Sequence, residues 1–241
     1  MSDIYGVILA GGVGRRMGNI DRPKQFLELA GKPILIHTVE KFLMISEFEQ
    51  VLVLAPQPWI AHTSDLIRRY IPEPDRSRVA VTAGGETRNE TIMNAIRYIE
   101  QEGRLNDDTL IVTHDAVRPF LTRRIIEENI RYASECGACD TVIPASDTIV
   151  ESTNGDTISN IPNRAYMYQG QTPQSFRAKK LREVYESMTE EEKSILTDAC
   201  KIMVIKGERV RLVMGDVTNI KITHPSDIRF AEALAGGLHA E

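Results

Sequence analysis

Short, almost continuously apolar segments alternate along the chain with longer segments of mixed polarity. The apolar segments predict buried strands over residues 4–10, 51–55, 79–82, 110–113 and 140–145. The segments between them carry apolar residues at helical spacing and predict helices over residues 32–44, 58–70, 88–100 and 122–134, the last with Thr122 as its N-cap. Continuous apolar strands separated by helices indicate an α/β fold with a parallel sheet covered on both faces.

The pattern changes at about residue 146. Residues 146–171 contain a turn-rich stretch that predicts a β-hairpin with Asn154 and Gly155 at its tip. An isolated hairpin is marginally stable in water, so this one is expected to lean on another surface, such as a second subunit. Helices are predicted over 178–188, 190–201 and 225–234, and short strands over 210–214 and 219–223. The prediction is one domain over residues 1–241 with an arm at about 146–171.

Composition narrows the class of protein. The 241 residues are 42% hydrophobic and 26% charged, which is typical of a globular domain and excludes a disordered chain. Three cysteines are too few and odd in number for a disulfide framework, and no apolar run approaches the ~20 residues of a membrane span. The Met-Ser-Asp start lacks a signal peptide's basic region, so a cytoplasmic location is expected.

The net charge of −5 argues against a general nucleic-acid-binding surface, so an anionic ligand requires a local basic cluster. A glycine-rich loop over residues 9–18 follows the first strand and provides one, with Arg15 and Arg16 inside it and Lys24 beyond. It is not a P-loop, since no glycine has the Gly-x4-Gly-Lys-Ser/Thr continuation, and Met17 stands where a dinucleotide fingerprint needs its third glycine. Backbone N–H groups beside fixed cations suit a triphosphate.

Polar residues follow two other strands. Residues 84–91 place two glycines before a helix, which indicates either a ligand beside the helix N-terminus or a simple helix cap. Asp115 follows the fourth strand, where it is expected either to bind a metal or to pair with Arg118 in a turn. In parallel sheets ligands bind beyond the carboxyl ends of the strands, so these positions are expected to meet.

Together these residues resemble the cytidylyltransferases of the methylerythritol-phosphate and ribitol-phosphate type. The motifs occur in family order from residue 9 to residue 223: AGGxGxRMG, PKQFL, GGxxRN, HDAVRP, QTPQxF, TDAC and NIKIT. Leu9 in the first loop, Val117 and the sequence YQGQTPQ at 168–174 resemble the ribitol-phosphate branch more closely. The methylerythritol branch often has an acidic residue before NIK, where this chain has Thr218.

The resemblance implies a Rossmann-like nucleotidyltransferase fold and a homodimer with exchanged arms. It implies cytidylyl transfer from CTP to D-ribitol 5-phosphate, giving CDP-ribitol and pyrophosphate for teichoic-acid-type polymers, with no nucleic-acid or membrane partner. The alternatives are 2-C-methyl-D-erythritol 4-phosphate as acceptor, or a non-catalytic nucleotide-binding protein.

The resemblance also assigns roles to individual residues. The catalytic set is Arg16, Lys24, Arg164 and Lys221, and Asp115 is the expected ligand of Mg²⁺. The nucleotide-binding set is Leu9, Ala10, Gly11, Gly12, Gly14, Gly84, Gly85, Glu86, Thr87, Arg88, Asn89, Glu90, Thr91, Asp115 and Ala116. The acceptor-binding set is Thr148, Arg164, Thr172 and Lys221. An acceptor phosphate is already mostly deprotonated at pH 7, so no general base is needed, and His114 is expected to be structural.

Overall fold

The computed structural model describes residues 3–12 and 22–237. Its strands are β1 Ile4–Leu9, β2 Glu28–Leu29, β3 Lys32–Pro33, β4 Gln50–Ala55, β5 Val79–Ala83, β6 Leu110–Asp115, β7 Ala138–Pro144, β8 Tyr168–Arg177 and β9 Arg211–Met214. Its helices are α1 Ile34–Leu43, α2 Ile60–Tyr70, α3 Arg88–Gln101, α4 Arg123–Cys136, α5 Ala178–Glu186, α6 Glu190–Ser194, α7 Ala199–Ile205 and α8 Pro225–Gly237.

The main sheet has seven strands in the order β5-β4-β1-β6-β8-β7-β9. Strands β5, β4, β1 and β6 are parallel, β7 and β9 are parallel to each other, and β8 runs antiparallel to both of its neighbours. Helices cover both faces, so the expected mostly parallel α/β class is confirmed. The carboxyl ends of β1 and β6 lie side by side, with Leu9 paired to Asp115.

Two apolar clusters pack against opposite faces of the sheet. One joins α3, α5 and α7 to side chains such as Val7 and Phe176. The other joins α1, α2 and α4 to side chains such as Ile8 and Val53. Adjacent residues of β1 therefore face different clusters, which explains why the strand is apolar without alternation.

Three expectations for the second half of the chain are wrong. Strand β8 was not predicted, because Pro173 lies at its centre and its buried residues are largely polar, both of which are unusual in an interior strand. The helix predicted over 190–201 is two helices, because Asp198 caps α7 by accepting a hydrogen bond from Lys201 N at 2.9 Å. Residues 219–223 form no strand and instead follow turns at Asp216 and Thr218.

The segment expected to form the arm, residues 146–171, ends inside β8, and its part before that strand, residues 146–167, is called the arm below. This part has little regular structure. The predicted hairpin is reduced to one antiparallel bridge, between Glu151 and Asn160. At its tip the Asn154 side chain accepts hydrogen bonds from the backbone N–H groups of Asp156 and Thr157, and Gly155 has a φ of +76°. A turn therefore forms at the expected residues, but the strands that would flank it scarcely pair.

Candidate active site

A cavity of about 350 Å³ opens at the carboxyl ends of β1 and β6, beside the first turn of α3. Its lining includes glycine backbone, hydroxyl groups and both signs of charge. The lining residues are Leu9, Gly11, Gly12, Lys24, Gln25, Gly85, Glu86, Thr87, Arg88, Thr91, Asp115, Ala116, Val117, Lys221 and Thr223. The strand ends thus meet at one edge, as the parallel arrangement requires.

The first wall is the chain leaving β1. Ala10 N donates to Leu54 O at 2.9 Å, and the Gln25 side-chain amide donates to Ala10 O, so the backbone is fixed just before the glycines. A Cβ on Gly12 would meet nothing within 4 Å, and one on Gly11 would meet only Thr91 Oγ1 at 3.6 Å. The absence of side chains here leaves the backbone accessible to a ligand.

The second wall is the start of α3. Thr87 and Glu90 form a capping box, with Glu90 N donating to Thr87 Oγ1 at 3.1 Å and Thr87 N donating to Glu90 Oε2 at 3.1 Å. Gly85 must be glycine, because a Cβ there would lie 2.4 Å from the Glu90 Cβ. The helix cap expected from the sequence is confirmed, and the same segment lines the cavity, so the expectation of a ligand beside this helix N-terminus stays a prediction.

Asp115 is the electrostatic centre of the cavity. Lys221 Nζ lies 2.8 Å and Arg118 Nε 3.4 Å from its Oδ2, and Arg88 Nε lies 3.7 Å from its Oδ1. Burial alone raises the pKa of the Asp115 carboxyl, but the charges of Arg88, Lys221 and Arg118 outweigh it and hold that pKa well below its usual range. Asp115 is therefore ionised at every physiological pH.

Cations outnumber anions in the lining. Lys24, Arg88 and Lys221 stand against Asp115 and Glu86. Lys24 is 8% exposed, and its Nζ donates to Ile222 O at 2.9 Å. This bond ties the segment after the glycine loop to residues 219–223, the segment that carries Lys221. An anionic ligand would find positive charge that is already positioned.

His114 and Thr172 do not line the cavity, but they hydrogen-bond to each other and to the segment that carries Asp115. His114 Nδ1 lies 2.8 Å from Thr172 Oγ1, and its Nε2 lies 3.1 Å from Arg118 O. Burial lowers the pKa of His114 to about 4, so the ring is neutral at pH 7. Thr172 Oγ1 also accepts a hydrogen bond from Asp115 N at 3.2 Å. With both ring nitrogens hydrogen-bonded, His114 has the geometry of a structural residue.

The structure brings most of the predicted site residues together but leaves several away from the cavity surface. Ala10, Gly84, Asn89 and Glu90 belong to the same segments without lining the cavity, and Thr172 lies behind Asp115. Thr148 and Arg164 are exposed on the arm, where Arg164 Nη1 donates to Ser146 O at 2.9 Å. Gly14 and Arg16 lie outside the described residues.

Sequence reasoning missed three lining residues, Gln25, Val117 and Thr223. Each lies inside a motif that carried the resemblance, PKQFL, HDAVRP and NIKIT respectively. The signal was therefore present, but single residues in those motifs have no chemistry that singles them out.

A metal site built by protein side chains alone is not found among residues 3–12 and 22–237, which contain no group of three or more His, Cys, Asp or Glu placed to hold an ion. Within the same ranges no helix combines the length and the apolar character needed to cross a membrane.

The structure has an α/β, nucleotidyltransferase-like fold with a cavity at the carboxyl edge of the sheet. The family model described as IspD, 2-C-methyl-D-erythritol 4-phosphate cytidylyltransferase, matches residues 4–236, and the chain belongs to this family of cytidylyltransferases.

Solved structures agree with this assignment. The chain is similar to the 4-diphosphocytidyl-2C-methyl-D-erythritol synthase of Anaerococcus prevotii, with 25% identity, 98% and 96% of the two chains covered and a TM-score of 0.78. It is also similar to the 2-C-methyl-D-erythritol 4-phosphate cytidylyltransferase of Thermus thermophilus, with 28% identity, 97% and 99% of the two chains covered and a TM-score of 0.72. The enzyme of the same name from Francisella tularensis has 25% identity, 96% and 99% of the two chains covered and a TM-score of 0.77.

Proposed function

We propose that the protein transfers the cytidylyl group of CTP to the phosphate of a phosphorylated polyol, releasing pyrophosphate. The observation that carries this proposal is the convergence of Lys24, Arg88 and Lys221 on one cavity beside the glycines that follow β1. Membership of the cytidylyltransferase family supports CTP as the donor. The alternative, a non-catalytic nucleotide-binding role, would leave Lys221, which the resemblance assigns to an acceptor phosphate, without a task.

The reaction requires positioning and charge neutralisation. A phosphate oxygen of the acceptor attacks the α-phosphorus of CTP, and the bond to the departing pyrophosphate breaks. The acceptor phosphate has a pKa near 6 and is mostly dianionic at pH 7, so no side chain needs to remove a proton. The neutral, fully hydrogen-bonded His114 is consistent with this. The main obstacle is repulsion between two anions, which the cavity cations reduce.

Each cation has a position suited to a part of this task. Lys24 lies beside the glycine-rich loop and is assigned to the triphosphate, together with Arg16. Lys221 is held 2.8 Å from Asp115 and is assigned to the acceptor phosphate. Asp115 pairs with Lys221 and Arg88 and holds both side chains in place, so that neither must reorganise when the substrates bind.

The residues present fit a Mg²⁺ ion held largely by the nucleotide. Mg²⁺ is commonly bound by one or two carboxylates plus substrate phosphates, and Asp115 is an ionised carboxylate in the cavity. Asp115 would hold the ion, and the ion would supply neutralisation of phosphate charge. The Lys221 ammonium beside Oδ2 has the same sign and competes for that oxygen.

The arm fits best as a contribution from a second copy of the chain. Thr148 and Arg164, assigned to the acceptor, lie on the exposed arm rather than in the lining. Val150, Ile158, Ile161 and Tyr166 expose more than half of their surface on the same segment. A homodimer with exchanged arms would cover these side chains and bring Thr148 and Arg164 towards the partner's cavity.

Two acceptors have different support. The comparisons favour 2-C-methyl-D-erythritol 4-phosphate over the ribitol 5-phosphate that the sequence led us to expect, since the family model and the similar structures carry the methylerythritol name. Ribitol 5-phosphate is kept as the second candidate because of one specific position. Thr218, where the methylerythritol branch often has an acidic residue, donates to Asp216 within a turn and offers no carboxylate.

The deciding experiment measures pyrophosphate release from CTP with each acceptor separately. Release with methylerythritol phosphate alone would establish the acceptor named by the comparisons, whereas release with ribitol phosphate alone would establish the one indicated by the motifs. Replacing CTP by UTP or ATP serves as the donor control. The absence of release with either acceptor would contradict the proposed function and favour a binding protein.

A further inference from the structure

The segment that carries Lys221 is not part of a helix or strand. Residues 215–224 connect β9 to α8 without pairing in the sheet. Lys221 Nζ nevertheless lies 2.8 Å from Asp115 Oδ2, at the edge of the cavity. A lysine side chain has a flexible four-carbon stem, so its charge is well placed only if the backbone beneath it is held as well. Contacts other than a strand ladder must therefore fix this segment.

Gln171 holds the first part of the segment. This buried residue of β8 uses both ends of its side-chain amide. Its Nε2 donates to Asp216 O at 2.8 Å, and its Oε1 accepts from Asn219 Nδ2 at 3.1 Å. The chain passes so close that a Cβ on Gly215 would overlap Gln171 Oε1. One buried amide therefore takes the place of a strand partner.

Asn219 extends this hold towards the cavity. It is fully buried, and its backbone O accepts a hydrogen bond from Arg118 Nη1 at 2.8 Å. Arg118 Nε in turn lies 3.4 Å from Asp115 Oδ2, the same oxygen that contacts Lys221. Both ends of the stretch 219–221 are therefore held against Asp115, one through Arg118 and the other directly.

The chain is fixed again immediately after Lys221. Ile222 N donates to Val117 O at 3.0 Å, and Ile222 O accepts from Lys24 Nζ at 2.9 Å. These contacts do not involve Gln171. A change at Gln171 is therefore expected to disturb Lys221 while leaving Lys24, which is assigned to the triphosphate, in place.

Gln171 and Asn219 do not line the cavity, so the structure gives them no contact with a substrate. They lie in the motifs QTPQxF and NIKIT, and the proposed reaction gives neither of them a task of its own. Their effect on Lys221 would be sufficient, because a misplacement of about 1 Å caused by a change away from the reacting atoms can cost about a hundredfold in rate.

We propose that Gln171 and Asn219 are positioning residues, which hold the backbone on which Lys221 presents its charge to the acceptor phosphate. This inference rests on the proposed function, of which it specifies how the acceptor half of the cavity is built. It predicts that loss of the Gln171 amide affects the acceptor and spares the nucleotide.

The first test compares Gln171→Met with Gln174→Met. Methionine has nearly the length of glutamine but no amide, and Gln174 is a buried residue of the same strand that donates to Asp140. Pyrophosphate release is measured with the acceptor that the wild type uses. Gln171→Met should raise the acceptor KM about fivefold or more, within the range for coupled residues of one hydrogen-bond network, and leave the KM for CTP within about twofold. Gln174→Met should leave both KM values within about twofold. Each variant loses a buried hydrogen bond and should melt at a lower temperature, so the KM values carry the test.

A second variant breaks the same contacts while keeping the glutamine. The Cβ added by Gly215→Ala would displace Gln171 Oε1 from Asp216 N and Asn219 Nδ2. The same selective rise in acceptor KM is expected. Gly236→Ala is the control, because an added Cβ there would meet nothing within 4 Å, and it should match the wild type.

The last measurement asks whether Gln171 acts through Lys221. Changes at independent sites add, whereas changes within one network do not. In a Lys221→Ala background, Gln171→Met should therefore alter the kcat/KM for the acceptor by less than about twofold. A merely structural role would give the same loss in both backgrounds.

Four results would overturn the inference: additive losses, an unchanged acceptor KM in Gln171→Met, equal rises in the KM for acceptor and CTP, or a Lys221→Ala enzyme with wild-type acceptor kinetics. Under any of them the wild type is active and the proposed function stands. A wild type that releases no pyrophosphate with any acceptor overturns both.

Discussion

The cavity wall and the arm fix their side chains by different means. In the wall, Lys24, His114 and Asp115 are buried, and each has a polar contact to a segment distant in sequence, at Ile222, Thr172 and Lys221 respectively. In the arm, the polar contacts join residues of the arm itself, as between Arg164 and Ser146, and apolar side chains such as Ile161 face solvent. The wall is thus preorganised by its own chain.

The two regions are expected to serve different substrates. The wall residues assigned to the nucleotide are positioned without any ligand, so we expect the nucleotide half of the site to work in a single subunit. The acceptor residues assigned to the arm, Thr148 and Arg164, require something to hold the arm in place. The following predictions test that division.

The largest effect is expected in the wall, at Lys24. Lys24→Ala removes a buried positive charge beside the glycine-rich loop and should lower kcat by about 10²–10³, typical of losing one preorganised donor. Steady-state pyrophosphate release measures this effect. Lys32→Ala, at a partly exposed ion pair with Glu40, is the matched control and should be near wild type. Turnover within threefold of the wild type in Lys24→Ala, with an unchanged melting temperature, would remove Lys24 from the mechanism.

The next prediction asks whether the arm acts on its own cavity or on that of a partner. Arg164→Ala should raise the acceptor KM about tenfold or more while leaving the KM for CTP unchanged. Mixing Lys24→Ala with Arg164→Ala subunits, after dissociation and reassociation, should restore activity, because one site in each mixed dimer then has an intact wall and an intact arm. Activity equal to the sum of the separate variants would contradict arm exchange.

The sequence predicts the wall much better than the arm and its base. Gly85, Arg88 and Asp115 lie at or shortly after the carboxyl ends of apolar strands, so one local pattern and the geometry of parallel sheets place them. Strand β8 could not be predicted from the sequence, because its pairing with β6 and β7 depends on partners more than twenty residues away and Pro173 argues against a strand.

Lys221 shows the same limit in the site. The sequence predicts a strand over 219–223, whereas the segment is fixed by tertiary contacts, with Ile222 N donating to Val117 O at 3.0 Å and Lys24 Nζ donating to Ile222 O. The motif identified the correct residue, but the reason it lies in the cavity is a set of long-range hydrogen bonds. Such long-range hydrogen bonds leave no periodic pattern in the sequence.

The exposed apolar surface of the arm gives the third prediction. Ile161→Ser should weaken a dimer with exchanged arms by about ten- to a hundredfold in Kd, the value of burying one large aliphatic side chain. Analytical ultracentrifugation over a concentration series measures the change. Met44→Ser is the control, since Met44 is 57% exposed and Ile161 56% exposed, but Met44 lies outside the arm. Equal effects of the two substitutions would mean that the arm is not the interface.

A smaller effect is expected at the base of the arm, where Asp140 lies beside Gly170. The folded-state pKa of about 6 exceeds the ordinary value for aspartate of ~3.9, so stability is lost as the pH rises from about 4 to 6 and the buried carboxylate ionises. Asp140→Asn removes that cost. Thermal unfolding should show a higher melting temperature than wild type at pH 8 and no difference at pH 4. A variant destabilised equally at both pH values would contradict this account of Asp140.

The smallest effect compares two glycines with the same backbone geometry in different regions. Gly137 ends α4 with a φ of +85°, and Gly155 forms the arm tip with a φ of +76°. An added Cβ would meet nothing within 4 Å at either position, so alanine introduces only left-handed backbone strain of about 1–2 kcal/mol. Gly137→Ala should lower the melting temperature by about 2–4 °C per kcal/mol, because α4 packs on the core. Gly155→Ala should leave it unchanged, since the arm can relax locally without unfolding the sheet. Equal losses at both positions would mean that the arm is as tightly coupled to the core as the cavity wall is.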